Sequence, residues 1–251
     1  AELKQINERL RQLDRMKDDF LATVSHELRT PLTSIRSFSE ILIDNPDLEV
    51  AERQEFLGIL VRESERLTRL INNVLDLSKI ESGSMDWNVS DVDLDEVVDQ
   101  AIDATHGMAS ELGAEVERGP RMGVPALARG DHDRLVQVVV NLLGNAFKFT
   151  PAGRGKVRVG VVPDGGSYVV AVDDNGPGVS PQHRGQIFEK FFQANESLKD
   201  RPKGTGLGLA ICHQIVDHFG GEIWVGDGEL GGARFAFRLP ALGAEQRQAA
   251  E

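Results

Sequence analysis

Cysteine is almost missing from this chain: among 251 residues only Cys212 carries a thiol. A single thiol excludes an intramolecular disulfide framework and suits a reducing compartment. Long apolar runs are missing as well. No stretch approaches the roughly 18 consecutive apolar residues that a membrane-spanning helix needs. The first residues, AELKQINERL, lack the apolar core of a secretory signal and read as the interior of a helix, as expected for the cytoplasmic part of something longer. Positive charge is in short supply, with 28 Lys and Arg against 40 Asp and Glu and a net of −12. A field of that sign repels nucleic acid and anionic lipid, so no nucleic-acid partner and no direct membrane contact by this segment are expected. Glycine, in contrast, is plentiful: there are 26, many of them after residue 150.

Residues 1 to 44 read as one long helix, with Leu3, Ile6, Leu10, Leu13, Phe20 and Val24 stepping by three and four and Lys17 filling one slot. Such a heptad seam asks for a partner helix. Asn45-Pro46-Asp47 ends it, because proline disfavours helical geometry in the residue before it. A second stripe follows at Phe56, Leu60, Leu67, Leu70, Val74 and Leu77, with Glu63 in its one polar slot. Two such rods joined by a short turn make an antiparallel hairpin, and two seams on one hairpin are best buried by dimerisation into a four-helix bundle. A purely structural coiled-coil stalk fits the same pattern.

Ser82-Gly83-Ser84 breaks the helical period and marks a domain boundary. Beyond it, helices are expected over residues 94 to 111, 131 to 148 and 206 to 219, and strands over 156 to 162, 168 to 172, 222 to 225 and 233 to 239. Helices interleaved with strands predict an α/β sandwich, one mixed sheet covered by helices on one face. The last residues, from Leu242, are small and polar and read as a flexible tail.

Four segments carry chemistry. In Ser25-His26-Glu27-Leu28-Arg29-Thr30-Pro31, a zinc site would need a second histidine four residues after His26, and Thr30 stands there instead. Pro31 inside an apolar helix is costly. A neutral imidazole is a good nucleophile, and the adjacent carboxylate could hold its proton. A surface histidine of no chemical consequence fits the spacing equally well. Next, Asn141, Asn145 and Lys148 form one polar line on a helix whose Leu135, Val139, Leu142 and Ala146 point toward the sheet. An asparagine oxygen is a hard neutral ligand suited to Mg²⁺ shared with phosphates, although a solvated face is the plainer reading. Asp173-Asp174-Asn175-Gly176-Pro177-Gly178 follows a strand; its acid can accept from an exocyclic amine and its glycines admit a flat ring closely, yet the composition is also that of an ordinary turn. Lys203-Gly204-Thr205-Gly206-Leu207-Gly208 has the spacing GxGxG, follows no strand and fits neither the dinucleotide fingerprint nor a P-loop. It does run into a helix N-terminus, where backbone N–H groups attract phosphate. The preceding polar stretch, with Lys199, Arg201 and Lys203, has the composition of a cationic lid.

Taken in order, these segments resemble the sensor histidine kinases of two-component signalling. Residues 20 to 32 look like the phosphoacceptor box, Asn141 to Lys148 like the asparagine box and Asp174 to Gly178 like the first glycine box. Ile187 to Phe192 is similar to the phenylalanine box and Gly204 to Gly208 to the second glycine box. The resemblance implies a dimerising hairpin that presents His26, followed by an ATPase domain of the type shared with gyrase and heat-shock chaperones. It implies a coiled-coil linker over 1 to 15, a dimerisation and phosphotransfer domain over 16 to 82, a catalytic ATP-binding domain over 83 to 241 and a tail over 242 to 251. By the same resemblance His26 accepts the γ-phosphoryl group of ATP, Glu27 is the general base, and Thr30 serves dephosphorylation of a response regulator receiver domain, the partner to whose aspartate the group passes. Asn145 would hold Mg²⁺, with Asn141 and Lys148 near the phosphates. Asp174 would read adenine. Gly176, Gly178, Gly204, Thr205, Gly206, Leu207 and Gly208 would shape the pocket and lid, and Lys190, Lys199 or Arg201 would supply the cation at the γ-phosphate. A homodimeric scaffold with the same fold and little or no catalysis is the alternative. Two positions depart from the family pattern: Gln193 stands where an arginine is frequent, and Ala233 where threonine is usual, the latter expected to serve sheet-edge packing.

Overall fold

The computed structural model describes residues 2–192 and 206–243, with side chains from residue 21 onward. The chain divides into two compact units, residues 1–82 and 83–251.

The first unit is the expected hairpin. Helix α1 spans Glu2–Asp44 and helix α2 spans Val50–Glu81, so Asn45-Pro46 ends α1 where the sequence requires. Pro31 lies within α1 and is buried. Every apolar position of the α2 stripe is at least half-buried, with Leu70 and Leu77 nearly inaccessible, while Phe38 and Phe56 meet at 5.3 Å between ring centroids. The α1 seam from Leu3 to Phe20 lies outside the described side chains. A second stripe of α2, one residue out of phase, stays exposed at Leu57, Val61, Ile71 and Leu75.

The second unit holds helices α3 (Leu94–Leu112), α4 (His132–Phe149) and α5 (Gly208–His218) against a five-stranded sheet. In chain order the strands are β1 (Val89–Asp93), β2 (Ala114–Arg118), β3 (Leu127–Asp131), β4 (Gly155–Asp164), β5 (Ser167–Asp174), β6 (Glu222–Asp227) and β7 (Ala233–Pro240). The large sheet has the order β2-β4-β5-β7-β6, with β2 parallel to β4 and the other neighbours antiparallel, so the expected mixed sheet is present. Side chains alternate across a strand. Val157, Val159 and Val161 of β4, Val170 and Val172 of β5, and Phe235 and Phe237 of β7 all face the helices and are buried. Each fully buried Leu, Val or Phe contributes about 1.5–3 kcal/mol.

A separate two-stranded ribbon, β1 with β3, was not apparent in the residue pattern. Its strands end in the aspartates that cap the next helices. Asp93 accepts from Asp95 N at 3.0 Å at the start of α3, and Asp131 accepts from Arg134 N at 3.2 Å at the start of α4. The cross-links Ala126 N to Asp93 and Asn88 N to Asp131 bind ribbon and caps together. Trp87 stacks on His218 at 4.0 Å, tying the segment that enters this unit to the end of α5. Among the described residues no helix is long and apolar enough to cross a membrane.

Candidate functional site

On the hairpin, the His26 side chain is 75% exposed and its Nδ1 lies 3.8 Å from Glu27 Oε1. The other carboxylate oxygen, Oε2, lies 3.6 Å from Arg66 Nη2, across the hairpin on α2. Thr30 Oγ1 donates to the His26 carbonyl at 3.3 Å, one turn back along α1. Pro31 has no N–H to give Glu27's carbonyl, so one helical hydrogen bond is missing a turn after the histidine.

In the second unit the period of β5 selects one acid of the Asp173-Asp174 pair. Asp174 continues the helix-facing row of Val170 and Val172, whereas Asp173 lies on the opposite face of the sheet, buried as well, and is held by Arg234 Nη1 at 3.2 Å. Asp174 is buried at the strand's end, where its Oδ1 accepts from Gly176 N at 2.8 Å and Ala233 N at 3.1 Å. Its Oδ2 has no protein partner among the described residues. Burial pushes the Asp174 carboxyl above its ordinary value, and the two backbone N–H groups work against that shift. A Cβ on Gly176 would stand 2.9 Å from both Asp174 Oδ1 and the Phe149 carbonyl oxygen, so only glycine lets this turn close against the end of α4. Gly178 supplies a left-handed turn at φ +74°.

Helix α4 links the remaining elements. Asn141, Asn145 and Lys148 are half-buried along it, as the polar line predicts, while Leu135, Val139, Leu142 and Ala146 are buried. Among the described residues Asn141 Nδ2 is buried without a hydrogen-bond partner, although it lies close to Cys212 of α5. The other side of the Asn141 carboxamide faces Gly208, where a Cβ would approach Oδ1 to 3.5 Å. Gly208 opens α5, and Leu207 before it is buried. Gly206 adopts φ +68° and its carbonyl accepts from Phe191 N at 2.8 Å. The ends of the phenylalanine and second glycine boxes are thereby joined, and Phe191 is itself left-handed at φ +61°. Lys190, beside it, is exposed. Gly204, Thr205 and the basic stretch with Lys199, Arg201 and Lys203 lie outside the described residues, as does Gln193.

Two contributions were not foreseen. Gly232 and Ala233 stand against Asp174, Gly232 N donating to the Asp174 carbonyl at 3.0 Å. The expectation of a sheet-edge role for Ala233 is corrected here, because β7 lies between β5 and β6 and its first residue meets the pocket acid. The Gly231-Gly232 pair was the available signal. Arg66 is the other, and only Glu63 in the polar slot hinted at a charged group on that face.

Among the described residues no cluster of three or more His, Cys, Asp or Glu could hold a metal unaided. The half-buried Asn145 offers a neutral oxygen, which fits a Mg²⁺ that arrives with phosphates rather than a resident ion.

Comparison with known proteins finds relatives for both units. Residues 16–83 match the His Kinase A (phospho-acceptor) domain, and residues 130–243 match the histidine kinase-, DNA gyrase B- and HSP90-like ATPase. Hybrid signal transduction histidine kinase D of Dictyostelium discoideum is 35% identical over 95% of this chain and 16% of its own length. Drug sensory protein A of a Synechocystis strain is 39% identical over 86% of this chain and 34% of its own length. Among solved structures, full-length ShkA in complex with AMPPNP has a TM-score of 0.61 at 33% identity, covering 89% of this chain and 46% of that one. The chain thus spans about a sixth to a third of the length of these two curated relatives.

Proposed function

The chain belongs to the sensor histidine kinase family, with a phosphoacceptor module followed by an ATPase module, and from that premise we propose that it is an ATP-dependent protein-histidine kinase that phosphorylates its own His26. The single observation that carries this reading is the state of His26: exposed, with a carboxylate on its Nδ1 side and no partner on Nε2 among the described residues. In the proposed step the Nε2 lone pair forms the N–P bond with the γ-phosphorus, and the β,γ-bridging oxygen leaves with ADP. Glu27 Oε1 holds the Nδ1 proton and offsets the positive charge that grows on the ring.

Asp174 Oδ2, without a protein partner among the described residues, suits the exocyclic amine of adenine. The AMPPNP in the ShkA structure supports an adenine nucleotide as ligand. Asn141, Lys148 and the Gly206–Gly208 entry to α5 would face the phosphates, and Asn145 would hold Mg²⁺ there. When bound, the ion supplies charge neutralisation of the phosphate oxygens.

The proposal extends to partners. The exposed second stripe of α2, from Leu57 to Leu75, supports burial in a homodimeric four-helix bundle. His26 would pass its phosphoryl group to an aspartate of a response regulator receiver domain, and Thr30 would help remove it from that aspartate. A cytoplasmic location fits the lone, buried thiol. Incubating the full chain with γ-labelled ATP and Mg²⁺ tests the kinase reading. Acid-labile, base-stable label that disappears in His26→Gln is expected; label surviving in that variant overturns it.

A further inference from the structure

Neighbouring residues on a helix point about 100° apart and do not face each other. Adjacency in sequence therefore does not by itself bring a carboxylate to His26 Nδ1. Something must hold the Glu27 side chain against the helix, and the only cation recorded against it among the described residues, apart from His26 itself, comes from the opposite helix. Arg66 Nη2 lies 3.6 Å from Glu27 Oε2, while Arg66 Nη1 lies 3.8 Å from Glu63 Oε2 one turn earlier on α2. All three side chains are sheltered, at 27%, 17% and 25% exposure for Arg66, Glu27 and Glu63, against 75% for His26. Glu63 is the polar residue that interrupts the apolar stripe of α2, and it stands within ion-pairing distance of the guanidinium that also faces Glu27.

We propose that Arg66 is a positioning residue for the phosphoacceptor: its guanidinium, braced by Glu63, holds Glu27 Oε2 so that Oε1 stays on His26 Nδ1 and the ring keeps its proton there, with Nε2 free to attack. The inference rests on the reading of Glu27 as the base for His26. Two nitrogens of one rigid plane face two carboxylates, a fixed geometry that a freely rotating ammonium reproduces less well.

The test uses the full chain and γ-labelled ATP with Mg²⁺, comparing Arg66→Met, Arg66→Lys, Glu27→Gln and the Arg66→Met/Glu27→Gln double variant. Small misplacements of a reacting group cost up to about a hundredfold. Arg66→Met is expected to lower kcat by about 10- to 100-fold with KM for ATP within about twofold, because the nucleotide site is on the other unit. Arg66→Lys should recover part of the rate. The double variant should be no slower than Glu27→Gln alone, since both changes remove one interaction. In ¹⁵N spectra of the parent, His26 should be mainly the Nδ1–H tautomer, shifting toward Nε2–H in Arg66→Met. A kcat for Arg66→Met within about twofold of the parent, or a double variant losing the product of the two single effects, overturns the proposal. Should Arg66→Met fail to fold, Arg66→Lys decides: parental rate and parental tautomer refute the need for the fork. Glu27→Gln running at the parental rate removes the base assignment and this inference with it. A slow Glu27→Gln beside a normal Arg66→Met sinks the role of Arg66 alone.

Discussion

Replacing Asp174 by asparagine should separate nucleotide recognition from folding more cleanly than any other single change. Asp174 Oδ1 accepts two backbone N–H groups, from Gly176 and Ala233, and an asparagine carbonyl can accept both in the same place. Oδ2, without a partner among the described residues, becomes an NH₂ donor and would face the amino group of adenine donor to donor. A hydrogen bond to a charged group is worth about 1.5–3 kcal/mol. At about 1.4 kcal/mol per decade, the Kd for ATP should rise about 10- to 100-fold. An inosine nucleotide carries an oxygen at the same ring position and can accept from the new amide, so Asp174→Asn should lose far less affinity for ITP than for ATP. Calorimetric titration of the full chain with both nucleotides measures the ratio, and a thermal melt confirms the fold. Equal losses for both, or an unchanged ATP affinity in a folded variant, would refute Asp174 as the adenine reader. The same variant tests the pH dependence. Burial raises the Asp174 carboxyl above its ordinary value of 3.8, so the folded chain takes up a proton the unfolded chain releases. Its contribution to stability is complete below 3.8 and fades as pH rises through the raised value. The parent should therefore lose stability relative to Asp174→Asn as pH climbs from acid toward neutral, and a difference that does not change with pH would contradict the burial.

Two further changes probe the scaffold around that acid. Gly176→Ala forces a Cβ to 2.9 Å from the Phe149 carbonyl oxygen and from Asp174 Oδ1, so the turn must move. A cost of about 1–3 kcal/mol and weaker ATP binding are expected, whereas Gly185→Ala, with open space around the added carbon, should melt as the parent does. The Cys212 thiol, buried against α4 with its sulfur 3.8 Å from the Val138 carbonyl oxygen, is pushed up to about 12 by burial. It should resist a thiol reagent at pH 8 until the unit unfolds; labelling of the native chain within minutes would show that α4 and α5 part far more readily than this packing allows.

The helices were legible because their information is local. The α2 stripe from Phe56 to Leu77 repeats at helical spacing, Asn45-Pro46 ends α1, and both hold without reference to any distant residue. Strands β4 to β7 were legible for the same reason, through runs of β-branched and aromatic residues. Strands β1, β2 and β3 were not. Each is five residues long and carries acids or arginine, and each exists because of a partner far along the chain, as in the pairing of Val89 with Asp131. The capping aspartates Asp93 and Asp131 look like any surface acids until that pairing turns them toward helix N-termini.

The site followed the same division between local and distant information. Alternation along β5 places Asp174 on the helix-facing side with Val170 and Val172 and Asp173 on the opposite side of the sheet, a distinction the two adjacent acids do not display by type. Which oxygen is free for a ligand is settled elsewhere. Asp173 has both oxygens within reach of Arg234, at 3.5 and 3.2 Å, while Asp174 spends Oδ1 on Gly176 and on Ala233, which comes 59 residues later. The hairpin repeats this logic with Glu27, one oxygen held by Arg66 and the other turned to His26. In both units a carboxylate becomes specific through the partner that occupies one of its two oxygens. A partner distant in sequence, Ala233 in one unit and Arg66 in the other, takes part each time, so the sequence pattern offered the acids as candidates and left their orientation to the packing.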